Sequence, residues 1–196
     1  VNWQDLAWKL FLYFMDRRDK SMTKKGSVRV RDEFLNFLRG DLVESAAATF
    51  TQEEIDTNLS AERGVMMEIH SVEFQLKNLV NFDEVAAGGV EWVHVQLTRD
   101  SKTAVADISD ADVIAAERRI VVRSPAIGTD AGPLWFVSDE IVRFDFALPI
   151  PYVKPSIFFG LQASDATLTH RVHYRIGYTL RDISREEFLE LLVALQ

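Results

Sequence analysis

The sequence contains no cysteine, which excludes disulfides, thiolate zinc sites and cysteine nucleophiles together. It has no uninterrupted apolar run of about 18 residues, so it encodes no bilayer-spanning helix. Phosphate-cradling loops are missing too. Gly88-Gly89 is the one glycine pair, and neither G-x-x-x-x-G-K nor G-x-G-x-x-G occurs. There is no G-x-S-x-G nucleophile elbow, and no histidine sits in a predicted loop beside a nucleophile. Internal repeats and low-complexity tracts are absent. These absences point away from an enzyme or a cofactor carrier and toward architecture and assembly.

What is present is 196 residues, 47% of them hydrophobic. That suffices for one domain of about 130 to 150 residues plus an extension. The chain begins at Val1, which is compatible with removal of residues upstream, and no signal-peptide pattern is visible. The net charge of −8 is unevenly spread. Arg17, Arg18, Lys20, Lys24, Lys25, Arg29 and Arg31 lie in one stretch against the single acid Asp19. A basic arm on an acidic body is a directional pattern, because the two parts prefer different surroundings.

In chain order, Asn2–Met15 is dense in large apolar residues and reads as a helix capped by Asn2. It is too apolar all round for a free surface helix and must dock on something. The candidates are this or a neighbouring subunit, with Trp3, Trp8, Leu10 and Phe11 as anchors, or a membrane interface with Trp3 and Trp8 near headgroups. The basic stretch follows, loosened by Gly26 and Ser27. Its cations suit phosphates without reading sequence, and no aromatic between Arg17 and Arg31 offers a stacking platform. The plainer reading is a solvated linker or a set of salt-bridge partners. Val28 and Val30 alternate with Arg29 and Arg31, as in a short edge strand. Glu33–Arg39 reads as a helix capped by Asp32 and stopped by Gly40, and Asp41–Phe50 as a small-residue helix or linker. Thr51 and Glu54 have capping-box spacing before a helical turn around Ile55.

From Val65 the texture becomes strand-like. Val72, Phe74 and Leu76 alternate with polar residues, as do Val93, Val95 and Leu97 within Val90–Thr98. Ser109–Ala116 reads as a turn or two of helix, Arg119–Arg123 and Leu134–Val137 as short strands. In Ile141–Phe146, Val142, Phe144 and Phe146 point one way. Pro149, Pro151 and Pro155 then remove three backbone donors, predicting a stiff corner with no ladder through it. Ile157, Phe159 and Leu161 resume the strand, and Thr169–Leu180 is the longest clean alternation. Ser184 and Glu187 form a second capping box, opening the helix Arg185–Leu195.

Metal chemistry finds little support. His170 and His173 are an odd number apart in a strand and fall on opposite faces, and His70 and His94 stand alone, so all four read as sheet-face residues. Asp107, Asp110 and Asp112 could offer oxygens to calcium, but the stretch lacks the glycine and bidentate glutamate of an EF-hand. They read as solvated acids at a helix start, and no metal is expected.

The order of features, a partly basic helical arm and then strands with proline corners, resembles the single jelly-roll capsid proteins of icosahedral viruses. The stretches ALPIPYVKPSIFFGLQAS (147–164) and RVHYRIGYTL (Arg171–Leu180) carry the likeness. The resemblance implies a mainly β fold: an antiparallel jelly-roll sandwich of about eight strands over 65–196, with a C-terminal helix at 184–196, behind a helical arm at 1–64. It implies a virion protein whose identical subunits close an icosahedral shell, the arm reaching neighbours or packaged nucleic acid. The alternative is a soluble β-sandwich binding module for carbohydrate, or a phage tail component.

Overall fold

A computed structural model describes residues 35–77, 89–107, 109–123, 134–135, 141–164 and 169–194. The long alternating stretches form strands, as their period of two requires: β3 (Val65–Lys77), β4 (Val90–Thr98), β7 (Ile141–Tyr152), β8 (Ser156–Ala163) and β9 (Arg171–Asp182). To these are added β1 (Asn36–Val43), β2 (Thr51–Asp56), β5 (Val113–Arg123), the two-residue β6 (Leu134–Trp135) and the helix α1 (Arg185–Ala194). Two antiparallel sheets result. The first has the order β1-β9-β3-β7, the second β2-β8-β4-β5-β6.

The inward residues of both sheets make one core, so the molecule is a β-sandwich. Phe74 of β3 meets Phe159 of β8 across the sheets at 5.7 Å between ring centres, and Phe159 meets Tyr174 of β9 at 4.5 Å. Val72, Ile176, Val95, Leu97, Ile157 and Leu161 surround them with no exposure to solvent or almost none. The alternation in β3 changes phase midway. Val65, Met67 and Ile69 are buried before it, Val72, Phe74 and Leu76 after it. A bulge at His70, where Ile69 and Ser71 face the consecutive residues Tyr178 and Gly177, inserts the extra residue that causes the switch.

Four expectations are corrected. Residues 36–39, expected as a helix, belong to β1, and the Thr51–Ile55 region forms β2 rather than a helical turn. The sandwich therefore begins within the stretch assigned to a helical arm, well before Val65. The Ser109–Ala116 helix is instead a turn leading into β5 at Val113. The ladder does run through Pro151, which pairs with Glu68, because β7 is an edge strand whose proline can turn its donorless nitrogen away from β3, whereas Pro149 lies where the pairing is interrupted, as expected. Pairing lapses only between Asp145 and Ile150. The corner itself lies at Val153–Pro155, where the chain crosses from the first sheet to the second.

Helix α1 starts as its sequence requires: the Ser184 hydroxyl accepts a hydrogen bond from the Glu187 amide at 3.1 Å. Phe188 and Leu191 bury themselves with Met66 and Val153 in a second, smaller cluster. Met66 is out of phase with the inward residues of β3, so the helix covers part of the sandwich exterior.

Candidate assembly surfaces

On the first sheet, register places Arg39, Arg175, Glu73 and Arg143 in one row across all four strands. Three guanidiniums side by side would repel. Glu73, buried in the row, accepts from Arg175 Nε at 2.7 Å and from Arg143 Nη1 at 3.1 Å. Arg143 also grips Asp145 at 2.7 Å, and that carboxylate holds its pKa above the usual guanidinium value. Arg39 makes no ion pair among the described residues; it lies 5.5 Å from the centre of the Phe37 ring, with Arg175 5.1 Å from the same ring. Phe37 is 39% exposed. Arg171 pairs with Asp41 at 3.5 Å nearby. On an acidic protein this face is locally cationic and carries an aromatic platform, a combination that suits anionic partners.

The outer face of the second sheet is largely roofed by the segment 99–107. The Gln52 side-chain oxygen accepts from Ser101 Oγ at 2.8 Å and Lys102 N at 3.0 Å; that of Gln96 accepts from Ala106 N at 2.7 Å. Beneath it the Nε2 atoms of Gln52, Gln96 and His94 are buried without a hydrogen-bond partner. Burial, and secondly the Arg118 charge, hold His94 below the ordinary imidazole pKa. Arg118 lies 4.4 Å from the Trp92 ring centre. Past Trp92, Val90, Ile120 and Val122 are exposed neighbours on β4 and β5.

The acids considered for calcium are already engaged. Lys102 Nζ sits 2.8 Å from Asp110 Oδ2 and 2.7 Å from Asp112 Oδ2, where a cation would bind, and Asp107 Oδ1 accepts from the Ser109 amide at 2.8 Å. No cluster of metal-ligating side chains occurs among the described residues. His170 is not a sheet-face residue but deeply buried, its Nδ1 3.1 Å from Glu44 Oε2. Glu44 also accepts the amides of Ala163 at 2.7 Å and His170 at 2.9 Å. It thereby ties the end of β8 in the second sheet to the approach to β9 in the first. His173 is half-buried in β9, which begins at Arg171, so the two histidines do not sit on opposite faces of one strand as expected.

The sheet edges differ. β7 carries Pro149 and Pro151, and β6 spans two residues, Leu134–Trp135, among the described residues. β2 pairs with β8 on one side and has no strand on the other among the described residues. Its acids Glu53, Glu54 and Asp56 are all exposed and make no ion pair among those residues.

The expected site residues Arg17, Arg18, Lys20, Lys24, Lys25, Arg29 and Arg31, and the anchors Trp3, Trp8, Leu10 and Phe11, lie outside the described residues. The sequence reading missed the arginine row. Its one visible trace was the outward set Arg171, His173, Arg175 on β9; the rest needed the register. No protein-family model matches the chain, and no curated protein sequence matches it.

Proposed function

We propose that the sandwich is a jelly roll and that the chain is a structural capsid subunit, identical copies of which close an icosahedral shell in the virion. One observation carries this reading. With the two-residue β6 set aside, eight strands remain, and they pair first with last, second with seventh, third with sixth and fourth with fifth. That nesting arises when one long antiparallel ribbon is rolled up. The rolled ribbon then closes on itself through β3 with β9 and β4 with β8, the double Greek key used by capsid and lectin domains.

Assembly is favoured over a binding module by the disposition of apolar groups. A sugar-binding module needs exposed aromatics around one loop cluster. Among the residues whose side chains are described the only aromatic with a large exposed area is Phe37, near the start of β1, whereas aliphatic side chains are exposed on several faces. The greasy Asn2–Met15 segment adds apolar surface that identical subunits can cover for one another. The basic stretch supplies contact with packaged nucleic acid, and a membrane contact through Trp3 and Trp8 is the lesser alternative.

The test is negative-stain microscopy with sedimentation of the purified full chain. Closed particles of uniform size are the expected result. A monomer that persists at about 100 µM, a concentration at which subunits with interfaces of standard size associate, overturns the reading. Neutralising the seven cations is expected to lower nucleic-acid retention and flatten its salt dependence.

A further inference from the structure

We propose that the open edge of β2 receives the segment Val28–Arg31 of a second copy of this chain, which adds to the second sheet as an antiparallel strand. The inference rests on the assembly reading above and names a contact within it. Three observations carry it: an edge with no strand beside it among the described residues, a charge match and a face match.

A vacant strand edge exposes a row of backbone donors and acceptors, and proteins blunt such edges with proline, bulges, lysine or extreme shortness. β2 (TQEEID) has no proline and no lysine, and it pairs in unbroken register from Thr51 opposite Leu161 to Asp56 opposite Ser156. What it presents instead is negative charge without a cationic partner among the described residues. In β2, Ile55 packs on the core. Gln52 faces the opposite way, onto the 99–107 roof, and Glu54, bonded to the Ser156 hydroxyl, shares that outer side with Asp56. The segment Val28-Arg29-Val30-Arg31 alternates with the same period of two. Laid antiparallel with Val30 opposite Ile55, it sets Arg31 opposite Glu54 and Arg29 opposite Asp56. Directly opposed side chains of unlike charge then stand about 5 Å apart at the Cβ atoms. The valines extend the apolar side of Ile55. Backbone pairing supplies the adhesion and the alternate side chains the register, as in other strand additions.

The donor is a neighbour for a geometrical reason. The end of β1 lies beside the start of β2, Ser45 N donating to Thr51 Oγ1, so the two strands run in opposite senses, and a segment of the same chain that lies along β2 and then turns back across the sandwich into β1 would run parallel to its own β2. The five steps from Arg31 to Asn36 reach at most about 18 Å, and about 10 Å of that is used in crossing between the sheets. A neighbour's segment meets neither restriction.

Because the chain has no cysteine, engineered thiols report cleanly. Full-length Arg31→Cys and full-length Glu54→Cys are mixed during assembly and oxidised. A disulfide-linked heterodimer on a non-reducing gel is the expected result. Particles that form without that crosslink overturn the proposal and leave the capsid reading standing, whereas absence of any assembly overturns both. In the doubly substituted chain, a fast-migrating crosslinked monomer in place of dimers overturns exchange between copies.

Charge reversal gives a second readout. Arg29→Glu with Arg31→Glu, or Glu54→Arg with Asp56→Arg, is expected to raise the protein concentration needed for assembly about tenfold or more. Combining the four substitutions is expected to restore it, a rescue that loss of nucleic-acid contact would not give. Failure of the combined variant to recover, with its far-UV circular dichroism unchanged, overturns the pairing.

Discussion

Gly40 and Tyr174 stand directly opposite each other on β1 and β9, and the tyrosine ring fills the space a side chain at position 40 would need. A Cβ there would come within 2.8 Å of the ring's Cε1 and closer still to its hydroxyl. The same ring packs, tilted, against Phe159 on its core side, so it cannot simply sink. Gly40→Ala is therefore expected to destabilise the sandwich by about 1–3 kcal/mol, the usual cost of overpacking. A urea midpoint measured at fixed protein concentration checks it. Tyr174→Val in the same chain should recover part of the loss, because the two residues share one space.

The Glu44 carboxylate accepts two amides and faces a buried imidazole. Glu44→Leu keeps the bulk but leaves the Ala163 and His170 amides without their acceptor. A loss of about 3–5 kcal/mol is expected, as when one member of a buried pair is removed. Glu44→Gln keeps one acceptor oxygen and should lose about 1–3 kcal/mol. Equal stability of all three proteins in thermal unfolding would contradict the clamp.

Stability is expected to depend on pH through His94. Its pKa in the folded protein lies below the ordinary 6.5, first by burial and then by the Arg118 charge. The unfolded chain therefore takes up the proton first. The contribution is fully present above about pH 6.5 and is lost as pH falls below that and on through the depressed folded value. A His94→Gln variant should show a flatter fall of urea midpoint between pH 7 and 5 than the parent, a window set by that shift. Parallel curves would argue against a buried neutral imidazole.

Calcium should leave the melting temperature unchanged. The Lys102 ammonium already occupies the position between Asp110 and Asp112, and both acids raise its pKa, so it stays charged through the neutral range. Scanning calorimetry with and without about 5 mM calcium, well above the dissociation constants of extracellular sites, checks this. A stabilising shift would show that the ion displaces the lysine.

The strands legible in advance were those whose inner residues are all large. Val172, Tyr174, Ile176, Tyr178 and Leu180 of β9 gave an unbroken period of two. In β1 the inner positions are Leu38, Gly40 and Leu42, and the middle one lacks a side chain because Tyr174 fills its place. What shows in the sequence instead is Phe34, Leu35, Phe37 and Leu38 ahead of a glycine, a pattern that mimics a helix and its stop. In β2 only Ile55 reports burial, and the chance spacing of Thr51 and Glu54 looked like a cap. The polar sites were hidden for a similar reason: Glu44 and His170 are 126 residues apart, and nothing local marks either as buried.

By itself the sequence determined the long alternating strands, the existence of a proline corner after the Ile141 strand and the capped helix after Ser184, because each depends on neighbours within a few residues. Only the tertiary structure decided which strands lie at the sheet edges among the described residues, which arginines share a row and which carboxylates are buried. Those outcomes depend on register between strands far apart in the chain, and a one-residue slip would exchange every inward side chain for an outward one.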